Sequence, residues 1–214
     1  MFITFEGPEG SGKSTQIVLA QQYLEAGGRR VVRTREPGGT PIADRIRGIL
    51  LAAENASLTP KAELFLYFAA RAQHVAEVIR PALESGAVVL CDRFADSTWA
   101  YQGYARGLGT ELVEQMNALA TGGLTPDCTL LFDLPVEIGL TRAQARADGK
   151  PGELREDRFE REELDFHRRL RAGFLELARR YPARFRVLDA AAGIDEVWRR
   201  TRAILDEFLP GEVK

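Results

Sequence analysis

The fifteen residues from Met1 to Thr15 constrain this chain more than any others. An apolar run, Phe2-Ile3-Thr4-Phe5, ends at Glu6 and is followed at once by Gly7-x-x-x-x-Gly12-Lys13-Ser14. A strand, a glycine-rich loop and a helix in that order form a phosphate-binding cradle. Gly7, Gly10 and Gly12 let successive backbone N–H groups turn inward toward phosphate oxygens. Lys13 is placed to reach the β- and γ-phosphates, and the Ser14 hydroxyl to sit on Mg2+. The helix that starts here adds its positive N-terminal end. The whole stretch Gly7, Pro8, Glu9, Gly10, Ser11, Gly12, Lys13, Ser14, Thr15 is therefore read as the seat of a nucleoside triphosphate.

A strand feeding a helix in this way implies a parallel α/β sheet, and the rest of the chain supplies it. At 214 residues it is long enough for one large domain with a full core. Helical patterning over 13–27 stops at Gly27-Gly28, and Val31-Val32 mark a second strand. Ile42 to Ala53 reads as a helix. Another starts at Thr59-Pro60, a cap followed by a first-turn proline, and runs to about Leu83. Ala87 to Cys91 is an uninterrupted apolar run, as a buried parallel strand should be. Helices at 110–121 and 136–147, a strand at Cys128–Phe132, a helix through Tyr181, a strand at Phe185–Leu188 and a last amphipathic helix complete the alternation. The expected fold is a doubly wound, five-stranded parallel sheet with helices on both faces, as one domain spanning 1–214.

Candidate site residues gather at the carboxyl ends of the strands, where open α/β folds bind ligands. Thr34-Arg35-Glu36-Pro37-Gly38-Gly39-Thr40 follows the second strand, and Asp92-Arg93 the third. Asp92 is placed to hold a metal's water shell opposite Ser14, and Arg93 to hold phosphate. Arg71 falls inside the apolar stripe Leu64, Phe68, Val75, Val78, Ile79 at about 100° per residue. A guanidinium there needs a carboxylate or a ligand. With Tyr67 one turn before it, it either clamps a planar group or pairs with an acid of the core. Residues 146–160, with Gly149, Pro151 and Gly152 among Arg146, Arg155 and Arg158, read as a mobile cationic lid.

Composition narrows the partners. A net charge of −2 and a pI near 5.9 give no general affinity for nucleic acid. Cys91 and Cys128 lack metal-ligand spacing and a disulfide pattern. No leader precedes the first strand and no apolar run reaches membrane-spanning length, so the expectation is a cytoplasmic protein with no membrane partner. No Asn-Lys pair exists to read guanine, and the strand ending at Asp92 continues with Arg93 rather than a second acid. An acceptor loop, a lid and cations on both sides favour a small-molecule kinase over a GTPase, a motor or a binding module.

At this point the residues resemble a known family. Asp92-Arg93-Phe94-x-x-Ser97-Thr98-x-Ala100-Tyr101-Gln102 is similar to the signature of thymidylate kinases. Thr34 to Thr40 resembles a second motif, Tyr67-Phe68-Ala69-Ala70-Arg71 a third, and Asp157-Arg158-Phe159-Glu160 the lid. The resemblance runs through the whole chain in order. It implies transfer of phosphoryl from ATP, with Mg2+, to dTMP, by a homodimer. It implies that Glu9 receives the acceptor 3′-hydroxyl, and that Arg35 and Arg93, with Arg47 nearby, hold its phosphate. By the same carry-over Tyr67 stacks on thymine, with Phe68 as the alternative, and Arg71 bonds O4. Thr98 and Gln102 help read the base edge, and Tyr101 crowds the sugar C2′. Some members carry an Arg next to the P-loop acid where this chain has Gly10. This sequence resembles the bacterial type, in which lid arginines supply the catalytic charge, and leaves open which of Arg146, Arg155 and Arg158 does so. Another nucleotide or deoxynucleoside kinase with a different acceptor is the alternative.

Overall fold

A computed structural model of the chain describes residues 1–148, 159 and 162–209. Five parallel strands form one sheet: β1 (Phe2–Glu6), β2 (Val31–Arg35), β3 (Val88–Asp92), β4 (Cys128–Asp133) and β5 (Phe185–Asp189), in the order β2-β3-β1-β4-β5. The expected architecture is thus the one observed. β1 is central and buried from end to end, as a strand of a sheet covered on both sides should be.

The two faces differ in what they carry. On one, α1 (Lys13–Ala26) and α9 (Ile194–Phe208) pack Ile17, Ala20, Leu24, Val197 and Leu205 against Ile3, Phe5, Leu130 and Phe132. The rings of Phe5 and Phe132 stack with centroids 5.7 Å apart. On the other lie α2 (Pro41–Leu51), α3 (Pro60–His74) with α4 (Arg80–Glu84), α5 (Ala95–Thr98), α6 (Thr110–Thr121) and α8 (Leu164–Arg180). Thr40 and Thr59 cap α2 and α3 by accepting from Ala43 N and Ala62 N, each with a proline in the first turn.

α3 and α4 belong to the single long helix expected from sequence, joined by a π-turn at Val75–Ile79. Pro81 gives the reason: it has no N–H for the carbonyl four residues back, and its ring crowds that carbonyl, so the helix widens just before it. A second π-turn, Trp99–Ala105, follows α5 and buries six of its seven residues, Tyr101 and Gln102 among them.

The pattern break expected at 146–160 begins later than its sequence boundary, because α7 (Val136–Asp148) carries the chain through Arg146 as helix. The side chain of Arg146, and residues Arg155 and Arg158 altogether, lie outside the described residues. Phe159, read as part of a mobile lid, is 7% exposed and set edge-on to Tyr101 at 5.3 Å. It is a core residue, as its bare aromatic ring dictates once Arg106 lies over its face.

Candidate active site

The register of the sheet assembles the site. Arg35 at the end of β2 lies beside Asp92 at the end of β3, and Asp92 beside Phe5 of β1. The P-loop leaves β1 directly into this row. Gly10 has φ +70, and a Cβ there would stand 2.0 Å from the carbonyl oxygen of Gly139 in α7. Backbone packs on backbone, which only glycine allows. Gly12, with φ 82, hands the chain into α1, whose first residue is Lys13.

Lys13 is 6% exposed and donates from Nζ to Gly7 O (3.0 Å), Pro8 O (2.8 Å) and Ser11 Oγ (3.1 Å). Burial, with Arg93 as an added positive neighbour, pulls its pKa down to about 7 against the opposing pull of Asp92, Glu9 and Glu6. The ammonium is held over the turn of the loop by two neutral carbonyls and a hydroxyl, and an anionic phosphate would be a stronger partner than any of them.

Ser14 Oγ donates to Asp92 Oδ2 at 3.1 Å. These are hard oxygen ligands at the mouth of the loop. Among the described residues no group of three or more His, Cys, Asp or Glu could hold a metal ion. A cation here would rest on one hydroxyl, one acid and the phosphates of its substrate, which is how Mg2+ is commonly held. The donor set fits that ion.

Arg93 links the loop to the neighbouring Glu9–Tyr101 cluster. It is the only non-glycine residue with positive φ (68) among the described residues. Its guanidinium donates to Gly7 O (3.1 Å), Ser97 Oγ (3.1 Å) and Glu9 Oε1 (3.2 Å), and lies over the Tyr101 ring at 5.0 Å. The Tyr101 hydroxyl donates to the same Glu9 Oε1. Burial alone would raise the Glu9 pKa, but Arg93, the Tyr101 hydrogen bond and Lys13 together hold it below the usual carboxylate value. Glu9 is an ionised acid with one oxygen occupied.

Arg71 is 1% exposed, and both readings of it meet in its contacts. Nε donates to Glu36 Oε2 (2.7 Å), Nη1 to Asn117 Oδ1 (3.0 Å), and Nη2 to Phe94 O (3.1 Å) and Thr98 Oγ1 (2.9 Å). Four of its five N–H groups are so engaged, leaving one on Nη1. Glu36 is the hub: its other oxygen meets His74 Nδ1 at 2.9 Å, and His74 Nε2 meets Thr34 Oγ1 at 2.6 Å. The core carboxylate partner is real.

The remaining expected residues separate into two groups. Arg35 is more than half exposed beside Asp44 (3.6 Å), and Arg47 donates to Pro37 O at 2.9 Å, so both border the loop after β2. Tyr67 is half-buried while Phe68 faces the core. Thr98 faces Arg71. Gln102 donates to Glu63 Oε1 at 2.8 Å, in a cluster with Arg106 and Glu162. Sequence reasoning passed over Glu36 as a hub, His74, Asn117 and Glu6. Glu6 accepts from Phe94 N (2.7 Å) and Ser97 Oγ (2.6 Å) directly behind the loop. His74 had a signal, standing three residues after Arg71 on the same helix face. Asn117, on α6, had none.

A parallel sheet of this strand order, with a phosphate cradle, a Ser–Asp pair and an Arg–Glu–Tyr cluster beside it, has the fold of a P-loop nucleoside monophosphate kinase. The thymidylate kinase family model matches residues 5–200. A thymidylate kinase of Geobacter sulfurreducens is 59% identical over 194 residues, covering 91% of each chain. One of Solidesulfovibrio magneticus is 54% identical over 209 residues, covering 98% of this chain and all of that one. The crystal structure of thymidylate kinase from Ehrlichia chaffeensis superposes with a TM-score of 0.77 at 35% identity, covering 96% of this chain and 98% of that one. The chain belongs to the thymidylate kinase family. Its reaction is phosphoryl transfer from ATP to dTMP, giving dTDP.

Proposed function

We propose that the P-loop, residues Gly7–Thr15, seats ATP, and that the side chains of Glu9, Arg35, Arg71, Arg93 and Tyr101 seat dTMP. The observation that carries this reading is Arg93, which touches both the loop carbonyl Gly7 O and the acid Glu9. A cation at that junction faces donor and acceptor phosphates at once. The acceptor phosphate is already an anionic nucleophile, so the protein's task is alignment and charge neutralisation. Lys13 leaves its three carbonyl and hydroxyl partners for the transferring phosphates. Arg93 and Arg35, with Arg47 bordering, hold the acceptor phosphate. Tyr67 stacks on the base, Arg71 presents its remaining N–H to it, and Thr98 and Gln102 hold that edge through Arg71 and Glu63. Tyr101, fixed by Glu9 and wedged against Phe159, Phe166 and Phe174, closes the sugar side.

Ser14 and Asp92 would hold Mg2+, which would supply positive charge to the transferring phosphates. From the sequence, residues 146–160 serve as a lid whose arginines, Arg146, Arg155 and Arg158, add to that charge. The same reading makes the enzyme a cytoplasmic homodimer. Ile42, Ile49, Phe65, Leu112 and Leu119, exposed on α2, α3 and α6, support a paired surface. No helix of the described residues is long and apolar enough to cross a membrane.

The test is an acceptor panel (dTMP, dUMP, dCMP, AMP, GMP, thymidine) in a coupled ADP-release assay, run on the parent and on Lys13→Ala. The parent should prefer dTMP, and Lys13→Ala should lose most transfer, on the order of a hundredfold or more. A variant with near-parental turnover would end the phosphate-cradle reading.

A further inference from the structure

Buried polar atoms without partners are rare in folded proteins, and each asks for an explanation. Among the described residues three side-chain atoms are in that condition: Gln16 Oε1, Glu9 Oε2 and His167 Nε2. The last two belong to side chains that face each other. His167 lies in the first turn of α8, 1% exposed. Its Nδ1 is 3.7 Å from Glu9 Oε2, too far for a hydrogen bond. Glu9 therefore has one oxygen bound by Arg93 and Tyr101 and the other open toward an imidazole that does not reach it.

The chemistry of the gap follows from its walls. An ionised carboxylate offers only acceptors, so the tautomer with the proton on Nδ1 is the one it favours. Nε2 then takes no part in this contact, and it has no hydrogen-bond partner. One wall is then an acceptor and the other a donor, with a separation that lets one oxygen stand within hydrogen-bonding distance of both. A hydroxyl meets both demands at once: it donates to Glu9 Oε2 and accepts from His167 Nδ1–H. A ketone, an ether or a hydrogen substituent cannot.

We propose that His167 is a specificity-determining residue of the acceptor site, and that with Glu9 it takes one sugar hydroxyl, the 3′-hydroxyl of dTMP. The inference rests on the reading that Glu9 borders the acceptor sugar. It adds a second recognition element from a helix outside the three sequence motifs. Because α8 is the first long element after the stretch that follows α7, the hydroxyl also joins the P-loop to that side of the site. An acceptor without it leaves both Glu9 Oε2 and His167 Nδ1–H buried and unmatched, which is where discrimination against 3′-deoxy nucleotides arises.

The experiment compares kcat/KM for dTMP and for 3′-deoxythymidine 5′-monophosphate in the parent, His167→Phe and His167→Asn. Phe keeps a ring in the slot and removes the donor. Asn places an amide N–H where Nδ1 stands. His167→Phe should lower kcat/KM for dTMP about threefold to tenfold and leave the 3′-deoxy analogue nearly unchanged, and His167→Asn should restore part of the preference. Equal losses on both acceptors, or an unchanged preference, overturn the role of His167. A parent that does not discriminate between the two acceptors instead overturns the placement of Glu9 at the sugar. Should the Phe variant not fold, the parent itself decides. The chain has two histidines, and His74 is bonded at both nitrogens, so nitrogen-15 imidazole spectra are readily assigned. Saturating dTMP should shift the His167 Nδ1–H resonance and the 3′-deoxy analogue should not. A His167 protonated at Nε2 alone in the dTMP complex refutes the proposal.

Discussion

Removing Arg71 tests the fold and the site together. Its guanidinium and the Glu36 carboxylate are 1% and 3% exposed and 2.7 Å apart. Arg71→Ala leaves that carboxylate buried with only His74 as partner, and takes donors from Phe94 O, Asn117 Oδ1 and Thr98 Oγ1. Breaking one side of a buried pair costs about 3–5 kcal/mol, out of the roughly 5–15 kcal/mol that holds a domain together. For a chain of this length that is a fall in Tm of about 6–20 °C. If the fifth N–H serves the base, KM for dTMP should also rise about tenfold to a hundredfold while KM for ATP stays within about twofold. Urea and thermal melts give the first quantity, and steady-state kinetics well below the melting point the second. An Arg71→Ala protein that melts within about 2 °C of the parent refutes the view that this network supports the core. Parallel damage to both KM values refutes the view that it also reads the acceptor.

Two further predictions concern the surroundings of the loop. Burial, with Asp96 alongside, raises Glu6 from an ordinary 4.5 to about 7 despite the hydrogen bonds from Ser97 and Phe94. The folded chain therefore holds this proton more tightly than the unfolded one: the associated stability is full below pH 4.5 and is lost as pH rises to about 7. Glu6→Gln should flatten that slope and melt above the parent at pH 8, and identical pH–Tm curves for the two proteins from pH 5 to 8.5 would contradict it. Arg146→Ala or Arg155→Ala should lower kcat by orders of magnitude with little change in KM for dTMP, because a lid arginine acts mainly in the transition state, and Arg158→Ala should act less directly. Single-turnover rates equal to the parent in all three variants would make the lid a cover only.

The elements that periodicity controls were legible: every strand of the sheet stands where an apolar run met turn residues, and the phosphate loop was legible in full because its chemistry is local. Arg71 shows where legibility stops. Its place in an apolar stripe announced that it needed a partner, but not which one. Glu36 stood in a motif already singled out, yet only the return of β2 beside β3 brings its carboxylate under α3. Asn117 and His167 arrive from α6 and α8, distant in sequence, and their polar atoms matter only because tertiary packing aims them at Arg71 and Glu9. Phe159 was read by its charged neighbours, although a phenyl ring follows burial rather than the composition of its loop. The π-turn at Val75–Ile79 had a local cause in Pro81, but the helical period there is otherwise unbroken, so the pattern alone gave one helix.

The contact between Gly10 and Gly139 bears on where the catalytic charge originates. Any side chain at position 10 would start 2.0 Å from a main-chain carbonyl of α7, with φ in the left-handed region as well. Gly139 meets the loop from the other side, since a Cβ there would stand 2.6 Å from Glu9 O. Neither glycine can accept a side chain without moving the loop off the helix. A P-loop arginine at position 10, the arrangement of the other subtype, is thus excluded by backbone geometry and not only by its absence from the sequence. Lys13 is then the sole cation of the loop itself, and burial, with Arg93 beside it, pulls its pKa down to about 7. On the proposed reading, further positive charge comes from Arg35 and Arg93 at the strand ends or from the arginines of residues 146–160. The helix that crowds position 10 is also the one on which Arg146 stands.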